Sequence, residues 1–360
     1  MSKDGTVLSV GGPAQNGNGN DRSGHVRVYK LSGGQWIQRG DDFYGDAAHD
    51  YLGKSVALSA DGSVVSMGAQ FSQSENGFNS GHVRVYEWSK DGSSEEAWAQ
   101  KGRTINGDAG DLSGCSVTMN EYGNIIGIGA YANDRYSGHV RVFEFKNGSW
   151  DQKGQDINGR DQSGWSISLD SSGSTIAIGA PGSDRNAYSS GHVRVYDWRD
   201  GSTSWVKRGE DINGGSPGDR SGSSVSVNDA GTVVAIGLRN ALISTGMATV
   251  YEWRDKEGWI QRGATFVGYS KYGYIDTSVS LNSSGDIVAV GNPYGGDTLL
   301  GRVKVYEWDG LTSTWNGLYK GTSLSGVHVS IISAPDALTL AVGAPRLNGG
   351  HGVARVYKWN

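Results

Sequence analysis

The chain holds one cysteine, Cys115, in 360 residues, so it cannot close an internal disulfide. A lone thiol in a strand-like segment reads as a small core side chain. Proline is scarce, at six residues. No apolar run approaches the roughly eighteen residues of a membrane helix, so no insertion into a membrane is expected. There is no excess of positive charge: the formal charge is −5, and Lys and Arg are dispersed. No basic stripe is present to neutralise a phosphate backbone, which argues against nucleic acid as a partner. The opening residues, MSKDGTVLSV, lack the apolar stretch of a secretory leader. Linear catalytic signatures are missing too. There is no H-E-x-x-H, phosphate-binding loop or dinucleotide fingerprint, and Gly164-Trp165-Ser166-Ile167-Ser168 lacks the last glycine of a nucleophile elbow.

What the chain does have is glycine, at 58 residues, with twelve tryptophans and seventeen tyrosines spread along its length. Without a G-X-Y period this is not collagen, and so many aromatics argue against disorder. Frequent turns between short aromatic-rich strands fit better. The segment SGHVRVY recurs at His25, His82, His139 and His192, with degenerate copies at Met247, Arg302 and Val353. A recurrence every fifty-odd residues across the whole sequence marks a repeat architecture.

Each repeat reads as four strand-like pieces. The first is G-x-S-V-x-L, as at Gly53–Leu58, followed by a glycine-containing turn. The second is an apolar run ending in glycine (VVSMGA, IIGIGA, TIAIGA). The third is HVRVY. The fourth opens on a tryptophan, at Trp36, Trp98, Trp150, Trp205 and Trp259, with a diverged copy at Trp315. In HVRVY, Val26 and Val28 share one face while His25, Arg27 and Tyr29 share the other, the period of a strand. Neither face is wholly polar, which suits a blade packed on both sides. The expectation is an all-β fold, a seven-bladed β-propeller of four-stranded antiparallel blades. It is read as one domain over 1–360, with approximate blades 1–46, 47–108, 109–159, 160–214, 215–268, 269–322 and 323–360. The second and third pieces occur seven times but the first and fourth only six, so the first and last blades are expected to be incomplete. A first blade without its innermost strand leaves ladder groups unpaired, and a longer native chain or another segment is expected to fill it.

These motifs resemble the FG-GAP repeat of the integrin α-subunit propeller. Gly179-Ala180-Pro181 and Gly343-Ala344-Pro345 match its Gly-Ala-Pro, and HVRVY matches its V-x-V-Y strand. Its Phe-Gly position keeps glycine but has Leu52, Ser113, Ser163 or Ser221 before it. A kelch-like propeller is the rival, carried by Gly11-Gly12, Val28-Tyr29 and Trp36. The resemblance implies an extracellular location and adhesion-type binding. Calcium-binding loops of the family carry D-x-D-x-D-G, whereas the loops here offer at most one acid each (Asp61, Glu121, Asp170, Asp229, Asp286, Asp336), so calcium is disfavoured and no cofactor or metal is expected.

The histidines and arginines of the third strand recur once per blade and are read as structural, since equivalents on different blades cannot converge on one ion. The loops between strands two and three, and between strand four and the next strand one, should share one face. That face would display Asp21, Arg22, Tyr51, Asp134, Arg135, Tyr136, Asp184, Arg185, Tyr188, Asp219 and Arg220 as the ligand-binding set. With no catalytic residue legible, the sequence points to a non-enzymatic module presenting this face to a protein or a glycan. The alternative is a structural propeller that self-assembles or sits in a longer polypeptide, with a propeller glycoside hydrolase or lyase less favoured.

Overall fold

The computed structural model describes residues 1–90, 96–199, 201–240, 245–267, 277–292, 302–318, 328–334, 337–344 and 352–359. It is an all-β, seven-bladed propeller of small antiparallel sheets, with one four-residue helix at Asn133–Tyr136 among the described residues. Two compact units are distinguished, Met1–Gly173 with Arg199–Trp205, and Ser174–Trp198 with Val206–Asn360.

In the first unit the opening sheet has three full strands, Val7–Gly12, His25–Ser32 and Gln35–Gln38, and no innermost strand among the described residues. The second sheet is complete, with Ser55–Leu58, Val64–Ala69, His82–Lys90 and Glu96–Gln100 in that order. The third follows it with Ser116–Met119, Ile125–Ala130, His139–Lys146 and Ser149–Gln152. The fourth repeat contributes its inner strand, Ser166–Leu169, to this unit. The second unit holds Thr175–Ala180 and His192–Trp198 of that repeat. It also holds the fifth sheet from Ser224–Val227 and the sixth from Ser278–Leu281. The last is a three-stranded sheet of His328–Ala334, Ala337–Ala344 and Val353–Trp359. Among the described residues the first and last sheets are thus three-stranded along their main path, the number the repeat count gives. Pro293, Asp336, Pro345 and the glycines 349–350 lie outside the described residues.

One departure is local. The fourth strand is broken in two, and a second short piece returns to the third strand: Phe43–Tyr44 pairs with Val26 and His25, and Ile105–Asn106 with Val83 and His82. The break falls at the glycine of W-x-Q-[KR]-G. Gly40 and Gly102 have φ of 77° and 74°, and a Cβ on them would lie 2.6 Å from Trp98 Cδ1 and 2.8 Å from Trp150 Cδ1. Glycine is required there because the next blade's indole lies on it.

The same indoles fasten blade to blade. Trp98 Nε1 donates to Arg39 O at 2.7 Å, Trp150 Nε1 to Lys101 O at 2.7 Å and Trp205 Nε1 to Lys153 O at 2.8 Å. In the second unit Trp259 and Trp315 do the same toward Arg208 and Arg262. Arginines fill the gap: Arg39 lies 4.6 Å from the Trp88 ring and donates to Gly62 O at 3.0 Å, as Arg262 does with Trp308 and Gly285 O. Trp150→Phe keeps most of the apolar contact and deletes the N–H donor. It should cost about 1 kcal/mol in chemical unfolding.

Between sheets the core is aliphatic. Val26 and Val28 pack with Leu52, Val65 and Met67, and Val83 and Val85 with Ile126 and Ile128. Val193 and Val195 pack with Val234 and Ile236. Each fully buried side chain of this size contributes about 1.5–3 kcal/mol. The second-strand glycines mark where the next blade's loop comes closest: a Cβ at Gly129 would collide with the carbonyl oxygen of Gly164 and with Ser116 Oγ. Gly129→Ala should therefore destabilise by about 2 kcal/mol. Gly317→Ala, which enters open space, should be close to neutral in the same urea titration.

Candidate functional site

The loop-bearing face is built by a repeated backbone clamp. In each of four repeats a Ser-Gly before the third-strand histidine lies along the residue that precedes the inner-strand glycine. Leu52 N donates to Ser23 O at 2.9 Å, Ser113 N to Ser80 O at 3.0 Å, Ser163 N to Ser137 O at 3.1 Å, and Ser221 N to Ser190 O at 2.9 Å. Parallel bridges Gly24–Leu52, Gly81–Ser113 and Gly191–Ser221 record the same pairing. A Cβ on Gly24, Gly81 or Gly138 would strike the facing backbone, which is why Ser-Gly recurs. Loops after strand two and after strand four therefore do emerge together.

The residues just ahead of this clamp are paired and left-handed. They are Arg22 and Tyr51 (φ 48° and 56°), Asn79 and Leu112 (53° and 54°), Tyr136 and Gln162 (68° and 69°), and Ser189 and Arg220 (46° and 45°). Each pair is joined by a backbone bond, from Tyr51 N to Arg22 O at 3.2 Å through Arg220 N to Ser189 O at 3.0 Å. A left-handed non-glycine residue carries backbone strain of about 1 kcal/mol, and such strain gathers where side chains must be aimed.

Around the first pair the chemistry is densest. Arg22 Nη1 donates to Tyr51 Oη at 3.3 Å, and this bond raises the basicity of an already strong base. Tyr51 stands edge-on to Phe71, with ring centroids 5.3 Å apart. His49, itself left-handed at φ 68°, holds Nε2 at 3.7 Å from Asp21 Oδ2, and its amide donates to Asp21 O at 2.8 Å. The His49 and Asp21 side chains are 58% and 61% exposed, so this imidazole–carboxylate pair is open to a solute.

The other expected residues are placed differently. Asp134 and Arg135 are exposed and left-handed, with φ of 44° and 55°. Tyr136 points into an aromatic group, 6.2 Å from Tyr131, which in turn stands edge-on to the exposed Trp165 at 4.9 Å. Asp184 accepts from Ser189 N at 2.5 Å, closing its own loop. Arg185 pairs with Asp211 at 3.3 Å, while Tyr188 is free in solvent at 77% exposure. Arg220 is exposed, but Asp219 is buried and accepts from Ser216 N at 2.7 Å. Asp50 and Asp111 do the same in their loops, toward Ala47 N and Asp108 N. Asp219 is thus a loop brace and is not offered to a ligand.

Third-strand arginines have partners close at hand. Arg27 Nε donates to Asp42 at 2.8 Å, Arg84 Nη1 to Asp46 at 3.1 Å and Arg194 Nε to Asp211 at 3.1 Å. Burial opposes ionisation of Asp211, but bonds from Arg194 and Lys207 outweigh it and bring its pKa to about 2. Of the third-strand histidines, His82, His139 and His192 are buried. His82 Nδ1 meets Ser72 Oγ at 2.7 Å, and that hydroxyl donates to Ala69 O. The ring therefore donates from Nδ1, and its Nε2 is left without a partner among the described residues. Acids in the hairpin turns are similarly used up: Asp61 accepts from Ser63 N and from the Ser59 and Ser63 hydroxyls. Burial raises its pKa, and those bonds lower it by more.

His49, Phe71, Tyr131 and Trp165 were not singled out in the sequence. Tyr131 directly follows the second-strand Gly-Ala, Phe71 stands one residue further on from its own, and Trp165 follows an inner-strand glycine. Those three positions could have been read from the repeat alignment; His49 could not.

No family model matches the chain, and no curated protein matches it in sequence. Solved structures do match over its length. A protein assigned as a 6-phosphogluconolactonase from Bacteroides fragilis superposes with a TM-score of 0.58 at 13% identity, covering 100% of this chain and 99% of that one. The periplasmic gluconolactonase of Pseudomonas aeruginosa gives 0.59 at 13% identity, covering 98% and 99%. A protein from Lactobacillus plantarum gives 0.58 at 12% identity, covering 99% of each. The likeness establishes the propeller, and the neighbours are gluconolactonase-type propellers, not FG-GAP or kelch proteins. It also corrects the expectation of a non-enzymatic protein- or glycan-binding module. That expectation rested on the absence of linear catalytic motifs, and full-length neighbours named for lactone hydrolysis remove its basis.

Proposed function

We propose that the chain is a propeller hydrolase that opens a lactone ring of the sugar-acid class. The observation that carries this reading is the end-to-end superposition on two propellers named as gluconolactonases. The loop face supplies chemistry suited to it. His49, oriented by Asp21, takes a proton from the attacking water. Arg22 and the Tyr51 hydroxyl face the negative charge that develops on the carbonyl oxygen. The carbon–oxygen bond of the ring then breaks, and the leaving alkoxide receives the proton. No metal is needed in this scheme. The Gly-Ala-Pro and V-x-V-Y signatures remain a resemblance to FG-GAP repeats and carry no part of this reading.

Proton release from glucono-δ-lactone, and separately from its 6-phosphate ester, should exceed the spontaneous rate in proportion to protein concentration. A pH-stat at fixed pH measures it. Failure to accelerate either lactone at micromolar protein would overturn the reading.

A further inference from the structure

We infer that Arg185 and Lys207, gathered about Asp211 on the fourth repeat, form a binding site for a phosphate monoester dianion. All the groups involved belong to the second unit. Three cations meet one carboxylate there. Arg194 donates from Nε to Asp211 Oδ1 and from Nη2 to Oδ2, both at 3.1 Å. Arg185 Nη1 lies 3.3 Å from Oδ2, and Lys207 Nζ lies 2.5 Å from Oδ1. Among the described residues none of the three pairs with a second acid, Asp184 and Glu210 beside them in the chain included. One carboxylate offsets one cation, so two positive charges are left over in a chain whose formal charge is −5. Asp211, with its pKa brought to about 2, stays ionised at neutral pH, and the surplus is fixed there.

The sister repeats show that the fold does not require this surplus. At the position of Lys207 four other repeats have Gln38, Gln100, Gln152 and Gln261. Gln38 Nε2 donates to Asp42 at 2.8 Å and Gln152 Nε2 to Asp156 at 2.7 Å, a neutral amide in the place of the ammonium. Gln100 and Gln261 make the same bond to Thr104 and Thr265. Around Asp42 the set is completed by one cation, Arg27, and by the Tyr44 hydroxyl at 3.1 Å. The fourth repeat has exchanged the amide for a lysine, and its loop after strand two adds Arg185. A carboxylate that one arginine and neutral donors satisfy elsewhere does not need three cations, so the two extra charges are available to a solute.

Exposure divides the cluster in the same way. The Arg194 and Asp211 side chains are 12% and 8% exposed, whereas Arg185 and Lys207 are 49% and 34% exposed. Arg185 reaches Asp211 through Nη1, which leaves Nε and Nη2 as the planar fork that grips two oxygens of one phosphate. Lys207 adds a point charge with further N–H donors. A phosphate monoester carries nearly two negative charges and three acceptor oxygens on a single group. It therefore matches both surplus cations at once, where a monocarboxylate leaves one of them uncompensated.

The test is calorimetric titration of the whole chain at low ionic strength. Inorganic phosphate, the minimal probe, and glycerol 2-phosphate, the ester, should each bind one per chain with a Kd of about 1 mM or tighter. Acetate should bind at least about tenfold more weakly. Raising NaCl to about 0.15 M should weaken phosphate several-fold, because the two cations are open to screening. Lys207→Gln installs the sister residue, so the variant should keep its melting temperature and bind phosphate about tenfold more weakly. Arg185→Gln should lose as much, and the double variant should give no binding heat. Arg22→Met, in the loop pair assigned to hydrolysis, should bind phosphate as the parent does, which separates this site from that one. Four outcomes overturn the inference: no heat with phosphate in the parent chain, phosphate affinity that follows Arg22 and not Lys207 or Arg185, acetate bound as tightly as phosphate, or inorganic phosphate bound without the ester. None of these readouts depends on lactone turnover.

Discussion

Alanine in place of His49 is expected to lower lactone hydrolysis about 10²–10³-fold in kcat, with little change in KM, because the side chain acts on the water and not on the bound ring. The substitution is exposed and leaves the clamp between Tyr51 N and Arg22 O in place, so the melting temperature should hold. Asp21→Asn should give a smaller loss, since it keeps a polar side chain beside the imidazole but removes the charge that stabilises its protonated form. Arg22→Met should lower kcat without altering the fold. If His49→Ala retains full activity while Arg22→Met abolishes it, the base lies elsewhere on this face.

Acid should unfold the protein through two buried histidines. Burial, with help from Arg84, lowers the His82 pKa to about 4, and burial with Arg194 does the same for His192. Their side chains lie in residues only 5% and 1% exposed. In the unfolded chain each ring titrates near 6.5. Between those values the unfolded state binds more protons, so stability is undiminished above about pH 6.5 and falls as pH drops toward 4. Each ring accounts for about 3 kcal/mol over that window, and the pair for about 6. Urea midpoints taken at pH 7, 5.5 and 4 should fall in that order. His82→Gln should lower stability at pH 7 yet flatten the slope by half. A slope unchanged in both His82→Gln and His192→Gln would assign the acid sensitivity to other groups.

The fold was legible because its signals are local and repeated. Two-residue alternation in HVRVY, the apolar run ending in glycine and the recurring tryptophan each describe one strand. Seven spaced copies left little else to build. The break in the fourth strand escaped notice because its cause is remote: Gly40 is a glycine on account of Trp98, some sixty residues on. Backbone bonds bring the loops after strands two and four together, but chemistry within them was harder to assign. Asp219 looked like its exposed neighbours and turned out to brace its own loop, because carboxylates three residues after an amide can either cap it or leave it. His49 fits no repeated position, and its relation to Asp21 depends on two loops from different blades meeting. Pairings assembled from separate loops have no linear signature, which is why the sequence pointed to a non-enzymatic module.

The left-handed pairs ahead of the Ser-Gly clamp have an evolutionary meaning. Because main-chain bonds between neighbouring loops hold residues 22 and 51, 79 and 112, 136 and 162, and 189 and 220, their side chains can be exchanged without rebuilding any loop. Arg, Tyr, Asn, Leu, Gln and Ser already occupy equivalent places in one molecule. A combinatorial library restricted to those eight codons would therefore sample new recognition surfaces on an unaltered frame. Duplication of the repeat would likewise hand each new blade a ready-made pair of slots to diversify.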